Sequence, residues 1–131
     1  MLTYAVAIGA AGCSHHQPAV GARPGAAADS AARREAVGPV PVEIDNRGTS
    51  EVVVYVVRGS IRQRLAEASP VSRTTAVVPA SFTDDRGGVV LFARPIAGST
   101  TFTTERVYPQ AGDRLVLILQ PLLVESTLVV R

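Results

Sequence analysis

The chain has 131 residues, which leaves room for one small folded domain and a short extension. All 13 basic residues are Arg, and they oppose 11 acidic residues to give a formal net charge of +2. From residue 40 onward, 10 Arg stand against 9 acids, so the folded part lacks the basic surface that nucleic acid binding requires. A single cysteine excludes an internal disulfide and a cysteine-based metal cluster, and packing alone must hold the domain together.

An apolar segment of about ten residues, 2–11, opens the chain and is followed by Gly12 and Cys13. It is long enough for the hydrophobic part of a signal peptide and too short to span a bilayer core of about 30 Å. The usual positive charge before such a segment is missing, because residues 1–4 contain no Lys or Arg. This leaves two interpretations: a start that lies upstream, or an apolar N-terminus with an ordinary free cysteine.

The small residues Ala10, Ala11 and Gly12 directly before Cys13 resemble the lipobox of bacterial lipoproteins. The resemblance implies that residues 1–12 are a signal peptide, that a peptidase cuts before Cys13, and that the lipidated Cys13 anchors the protein to a membrane. It also implies a location in the cell envelope, either on the outer membrane facing the periplasm or on the cell surface. Ser14, the next residue, favours the outer membrane in the sorting pattern of that family.

Residues 13–39 are predicted to form a flexible linker after the lipidated cysteine. The segment is rich in Ala, Gly and Pro, lacks strand alternation and has few large apolar side chains. Such a composition buries too little surface to offset the entropy of ordering it. His15 and His16 lie there without a third ligand nearby, so we interpret them as a solvated pair and predict no metal site.

From Val40 the pattern changes to short strands. Val40, Val42 and Ile44 alternate with polar residues, and Pro41 predicts an edge strand or the start of a strand because it has no N–H to donate. The β-branched run 52–57 and the alternating run 61–65 flank Gly59-Ser60, which predicts a β-hairpin. Further strands are predicted at 74–78, 89–93, 102–107, 115–119 and 127–130.

About eight short strands with turn residues roughly every ten positions predict an all-β fold, a small antiparallel β-sandwich spanning residues 40–131. A small closed β-barrel is the alternative. The run from Val107 to Leu115 resembles a corner of immunoglobulin-like and transthyretin-like domains. Phe82, Phe92 and Phe102 are expected in the core.

Two groups of residues are candidates for binding. The strands 52–57 and 115–119 are apolar on both faces, so one set of side chains in each must face outward, and adjacent strands would then create an exposed apolar patch. Its members would be Val53, Tyr55, Val57, Val116 and Ile118; coverage by the linker or a loop is the alternative. Arginines on the hairpin form the second candidate, an anion-binding cluster or a plain solvated face, and they are Arg58, Arg62 and Arg64.

Catalytic constellations are not visible in the predicted domain. Both histidines precede residue 40, which excludes a His-activated Ser or Cys nucleophile there. Asp84 and Asp85 are interpreted as turn residues and not as a calcium loop, and Glu105 and Glu125 pair only if the fold brings them together. We expect a non-enzymatic cell-envelope lipoprotein without a cofactor, whose β-sandwich binds a protein partner or self-associates. The alternative is a binding module for anionic glycans or lipid headgroups that uses the hairpin arginines.

Overall fold

The computed structural model describes residues 38–131, which fold into two four-stranded β-sheets packed face to face. The described residues contain no α-helix and the sheets do not close into a barrel, so the predicted sandwich is confirmed. The first sheet, sheet A, is built from β1 (Val40–Asn46), β4 (Ser72–Val78), β7 (Leu115–Leu119) and β8 (Thr127–Val130) in the order β4-β1-β7-β8. The second sheet, sheet B, is built from β2 (Val52–Arg58), β3 (Ile61–Ala68), β5 (Val90–Pro95) and β6 (Phe102–Thr103) in the order β3-β2-β5-β6.

The first strand lies inside sheet A and not at its edge. β1 pairs antiparallel with β4 along its whole length, but its parallel pairing with β7 begins only at Val42. Pro41 therefore lies where β1 has one neighbour, and its missing N–H removes no bond to β7. Of the two predictions from Pro41, the strand start is confirmed and the edge strand is wrong.

The core consists of aliphatic side chains that alternate inward from both sheets. Ile44, Leu91, Leu115, Leu117 and Leu119 are fully buried, as are the inward valines of β2. These branched side chains fit a pleated, buried surface and supply most of the apolar area that the fold removes from water. The aromatic side chains contribute less than expected. Phe82 and Phe102 pack against the core edge, while Phe92 faces outward from sheet B, so its predicted core position is wrong.

A β-bulge in β3 reverses the alternation of that strand. Val54 pairs with Ala66 and Tyr55 with Arg64, so Leu65 is the extra residue. Before the bulge, the even-numbered residues Arg62 and Arg64 face outward. After the bulge, the even-numbered residues face inward, and the small side chain of Ala68 is fully buried in the core. The hairpin between β2 and β3 turns at Gly59, whose φ of 59° favours glycine.

The strand predicted at 102–107 is shorter in the structure. β6 ends at Thr103, and the pairing continues only through the backbone N–H of Thr104, which donates to the oxygen of Leu91 at 2.9 Å, and an isolated bridge between Val89 and Val107. The hydroxyl of the buried Thr104 accepts a hydrogen bond of 3.0 Å from the backbone N–H of Leu91 and so takes the place of a regular ladder bond. The chain then leaves the sheet, which makes β6 a two-residue edge.

Candidate functional site

The outer face of sheet B carries the predicted residues Val53, Tyr55 and Val57 in a row along β2. Phe92 of β5 lies beside Tyr55, with a distance of 6.0 Å between the ring centroids. The guanidinium of Arg62 stacks over the Phe92 ring, 4.1 Å from its centroid. This cation–π contact and the aliphatic stem of the arginine cover the rings. Phe92 is consequently only 8% exposed although it faces away from the core. Val53, which Glu67 on β3 and Arg94 on β5 flank in the register, is 7% exposed.

The single apolar patch expected from β2 and β7 does not form. β2 belongs to sheet B and β7 to sheet A. Val116 and Ile118 therefore lie on the outer face of sheet A, on the other side of the sandwich from Val53, Tyr55 and Val57. Val116 is 6% exposed, because Glu43 on β1 and Val129 on β8 flank it in the register. The predicted patch is therefore divided between two faces, and both faces are largely covered by neighbouring side chains.

The three hairpin arginines are directed to different places. Arg58 follows the inward-facing residues of β2 in the alternation of that strand, and it donates to the backbone oxygen of Ser81 near the rim of the sandwich. Arg62 stacks on Phe92, and Arg64 is paired with Glu67 across the bulge. Each guanidinium already has a partner, and the predicted anion-binding cluster does not come together around one point.

Asp84 organises the turn before β5, as predicted for a turn residue. Its carboxylate accepts hydrogen bonds from the backbone N–H groups of Gly88 and Arg86, at 2.7 and 2.9 Å, and lies 3.1 Å from the guanidinium of Arg106. The bond from Gly88 is the main cause that lowers the pKa of Asp84 below its ordinary value. These contacts assign the carboxylate to holding the turn.

Glu51 and Glu67 bring two carboxyl groups together at one side of sheet B. A hydrogen bond between the two side chains, followed by desolvation and mutual repulsion, raises the pKa of Glu51 above its ordinary value. Arg64 opposes this shift because its positive charge favours the ionised form.

Exposed apolar side chains gather at one end of the sandwich, which we call the loop end. Four loops meet there: 47–51, 69–71, 96–101 and 120–126. Three of these loops carry the large exposed apolar side chains of this end, which are Val71, Ile96, Leu122 and Val124, exposed by 78, 55, 62 and 69%. These loops contain only three charged residues, Arg47, Glu51 and Glu125. Apolar side chains exposed on loops that meet at one end of a domain are candidates for contact with a partner.

A buried asparagine ties the loops of this end together. Asn46 is 1% exposed, and its amide nitrogen donates to the backbone oxygens of Ser50, Ala68 and Ser69 at 2.9 to 3.0 Å. Its side-chain oxygen accepts from the backbone N–H of Gly48 at 3.0 Å. Both N–H groups of the amide therefore have partners, with one N–H shared between two of the three oxygens, and the amide oxygen accepts one bond, so loops 47–51 and 69–71 are fixed to each other.

A cleft of about 190 Å³ opens between the loops, with Asn46 at its wall and Leu122 and Ala97 at its rim. Ordinary small-molecule pockets have volumes of about 300 to 1,000 Å³, so this cleft is smaller than they are. It fits one or two side chains of a partner better than a cofactor.

Val71 has a backbone conformation that β-branched residues rarely adopt. Its φ is 49°, and its N–H donates to the backbone oxygen of Gly48 at 3.2 Å. A β-branched residue in this region costs about 1–2 kcal/mol, and glycine or asparagine would avoid the strain. Such strain is commonly kept at binding sites.

Sequence reasoning missed the loop end because its apolar residues stand singly in loops. Val71 follows Pro70, Ile96 follows Pro95, and Leu122 follows Pro121, so each was part of a turn signal. The shared pattern, a large apolar residue directly after a loop proline, was the available signal.

Several predicted features lie outside residues 38–131. Cys13, the predicted signal peptide 1–12 and all but the last two residues of the predicted linker 13–39 belong to that part of the chain. Within residues 38–131, no group of three or more His, Cys, Asp or Glu side chains is placed to hold a metal ion. No helix in this range is long and apolar enough to cross a bilayer. Comparison with models of known protein families and with curated protein sequences gives no match.

Proposed function

We propose that this chain is a lipid-anchored protein of the bacterial cell envelope whose β-sandwich binds another protein through its loop end. The observation that carries the proposal is the set of four exposed apolar side chains on the loops of the loop end, one of which, Leu122, lines the cleft. Apolar area of this kind gains free energy when a partner removes it from water, at about 25 cal/mol per Å². The expected partner presents an apolar, weakly charged segment, because the loops offer little charge for recognition.

The contrast between the two ends of the sandwich supports this assignment. The opposite end contains loops 79–89 and 104–114, which carry Asp84, Asp85 and Arg106 among other charged residues. This end also exposes Ile61 and Tyr108, by 63 and 47%, but they stand among charged side chains that remain solvated at little cost, whereas few charges accompany the apolar side chains of the loop end.

The direction of β1 supports the same orientation. β1 begins at Val40 at the charged end and runs to Asn46 at the loop end. A linker from an anchored Cys13 would therefore join the domain at the end opposite the apolar loops, and a linker of 26 residues has a root-mean-square reach of about 25–30 Å. The loop end would then be free to meet a partner away from the anchor.

The anion-binding alternative has less support. Arg58, Arg62 and Arg64 each have a protein partner, and a ligand would have to displace Glu67 and Phe92 to recruit two of them. Binding by salt-sensitive charge alone is therefore not the function we propose.

Site-specific photo-crosslinking in the native host tests the binding part of the proposal. A photoreactive amino acid at Val124 should give a discrete adduct with one protein, while the same group at the exposed Thr75 of β4 should not. Adducts with lipid alone, or equal yields from both positions, would contradict it.

The anchor is tested separately. The wild-type chain should incorporate a labelled fatty acid and partition into detergent, and Cys13→Ser should do neither. Loss of the label with an unchanged Val124 adduct would separate the anchor from the binding site.

A further inference from the structure

Strand β8 lacks the protection that the other edges of the sandwich have. β3 carries Arg62, Arg64 and Glu67, β4 carries Arg73, and β6 is only two residues long. Thr127–Val130 contains no charged residue, and the side chains of Val129 and Val130 are 37 and 36% exposed. An uncharged edge of β-branched residues is a template for pairing with another strand.

The unpaired backbone groups of β8 can be assigned from its pairing with β7. Arg114 and Arg131 exchange both backbone hydrogen bonds, at 2.7 and 2.9 Å. In an antiparallel ladder such pairs alternate with non-hydrogen-bonded pairs, so Val129 also directs its groups to β7. Leu128 and Val130 therefore direct their N–H and C=O groups away from β7, to a side on which the described sheet has no further strand.

Space for an additional strand lies beside this edge. A groove of about 430 Å³ separates β8 from β6 of the other sheet, with Phe102, Val107 and Leu128 along its apolar wall. The edge of β8 is thus accessible from the side, and the backbone of an incoming strand would meet no covering loop among the residues that line it.

We propose that β8 pairs antiparallel with β8 of a second copy of this chain. In the register that uses every free group, Leu128 exchanges both bonds with Val130 of the second copy, and the two-fold axis passes between the two Val129 residues. The four hydrogen bonds extend sheet A into a continuous sheet of eight strands, with the order β4-β1-β7-β8 repeated in reverse.

The charges around β8 favour this antiparallel arrangement. Arg114 and Arg131 lie together at one end of the strand, and Glu125 lies just before its other end. Antiparallel pairing brings the arginines of one copy towards Glu125 of the other at both ends, within diagonal reach of long side chains. Parallel pairing would bring the arginines of both copies together. The inference uses a different surface from the loop end and does not depend on the proposed function.

Disulfide trapping tests the pairing directly. In the full chain with Cys13→Ser, Val129→Cys places the new thiol opposite its counterpart, because the Cβ atoms of a non-hydrogen-bonded pair stand at the close end of the cross-strand range, about 4.5 Å apart, which a disulfide can span. Mild oxidation should give a covalent dimer at least about tenfold faster than Val77→Cys, a control on the opposite edge of sheet A. Val77 is more exposed than Val129, so random collision would favour the control.

Val130→Pro provides the second arm. It removes an N–H that β7 does not use, so the sandwich should keep its β-type circular dichroism while trapping through Val129→Cys is lost. Equal trapping rates for Val129→Cys and Val77→Cys would overturn the proposal, as would unchanged trapping in the Val130→Pro background.

Discussion

Replacing Asn46 with Ala should lower the free energy of unfolding by about 3 kcal/mol, because one side chain supplies four hydrogen bonds to the loop end. Two of the lost partners, the backbone oxygen of Ala68 and the N–H of Gly48, are buried in the folded protein. Each buried group left unpaired costs about 1–3 kcal/mol, while the oxygens of Ser50 and Ser69 lie nearer the surface and regain water at little cost.

The loss should appear in both chemical and thermal unfolding. For a folded domain of this size, a change of 3 kcal/mol shifts the thermal midpoint by roughly 12–24 °C. Asn46→Asp is the matched variant: it keeps the acceptor for Gly48 but turns a carboxylate towards three carbonyl oxygens, so it should destabilise at least as much as Asn46→Ala. Gln63→Ala, at an exposed position of the edge strand β3, serves as the control and should change stability by less than about 0.5 kcal/mol. A loss of under about 1 kcal/mol for Asn46→Ala would refute the assignment of Asn46 as the link between the loops.

Three further substitutions test other contacts. Val71→Gly should raise the free energy of unfolding by about 0.5–1 kcal/mol in urea titrations, because it relieves the left-handed backbone, whereas Val71→Ala should give no such gain. Arg62→Ala should lower the free energy of unfolding by about 1 kcal/mol, because it uncovers Phe92. Arg62→Met should lower it by less, because its side chain still packs on the ring; equal losses in both variants would assign the effect to charge. The pKa of Asp84 is lowered in the fold, so its stabilisation is complete above the ordinary value of 3.8 and is lost as the pH falls through the lower folded value. The stability difference between wild type and Asp84→Asn should therefore shrink in acid, and a difference independent of pH would contradict the hydrogen bonding seen at this turn.

The alternating apolar pattern was sufficient to predict the two-sheet architecture and most strands. Val40, Val42 and Ile44 all point into the core as predicted, because a period of two leaves one face to be buried. The hairpin at Gly59 followed from local turn chemistry. These features depend on neighbours in sequence, and short-range rules describe them well.

Features that depend on distant parts of the chain were not predictable in the same way. The division of β2 and β7 between sheets separated Val53 from Val116, and no local pattern reports which sheet a strand joins. The bulge at Leu65 was hidden because the small side chains of Ala66 and Ala68 fit either face. The loop end arises only when four separate turns meet, so its apolar side chains looked isolated in the sequence.

The size of the native complex tests the account most directly. Leu122→Ser combined with Val124→Ser removes two apolar side chains that are 62 and 69% exposed, and should leave stability within about 0.5 kcal/mol of wild type. Val77→Ser, on the outer face of sheet A, is the matched control. In detergent extracts of the native host, the double variant should sediment apart from the partner, and Val77→Ser should remain in a complex of wild-type size. A double variant that stays folded and remains in a complex of unchanged size would contradict binding through the loop end.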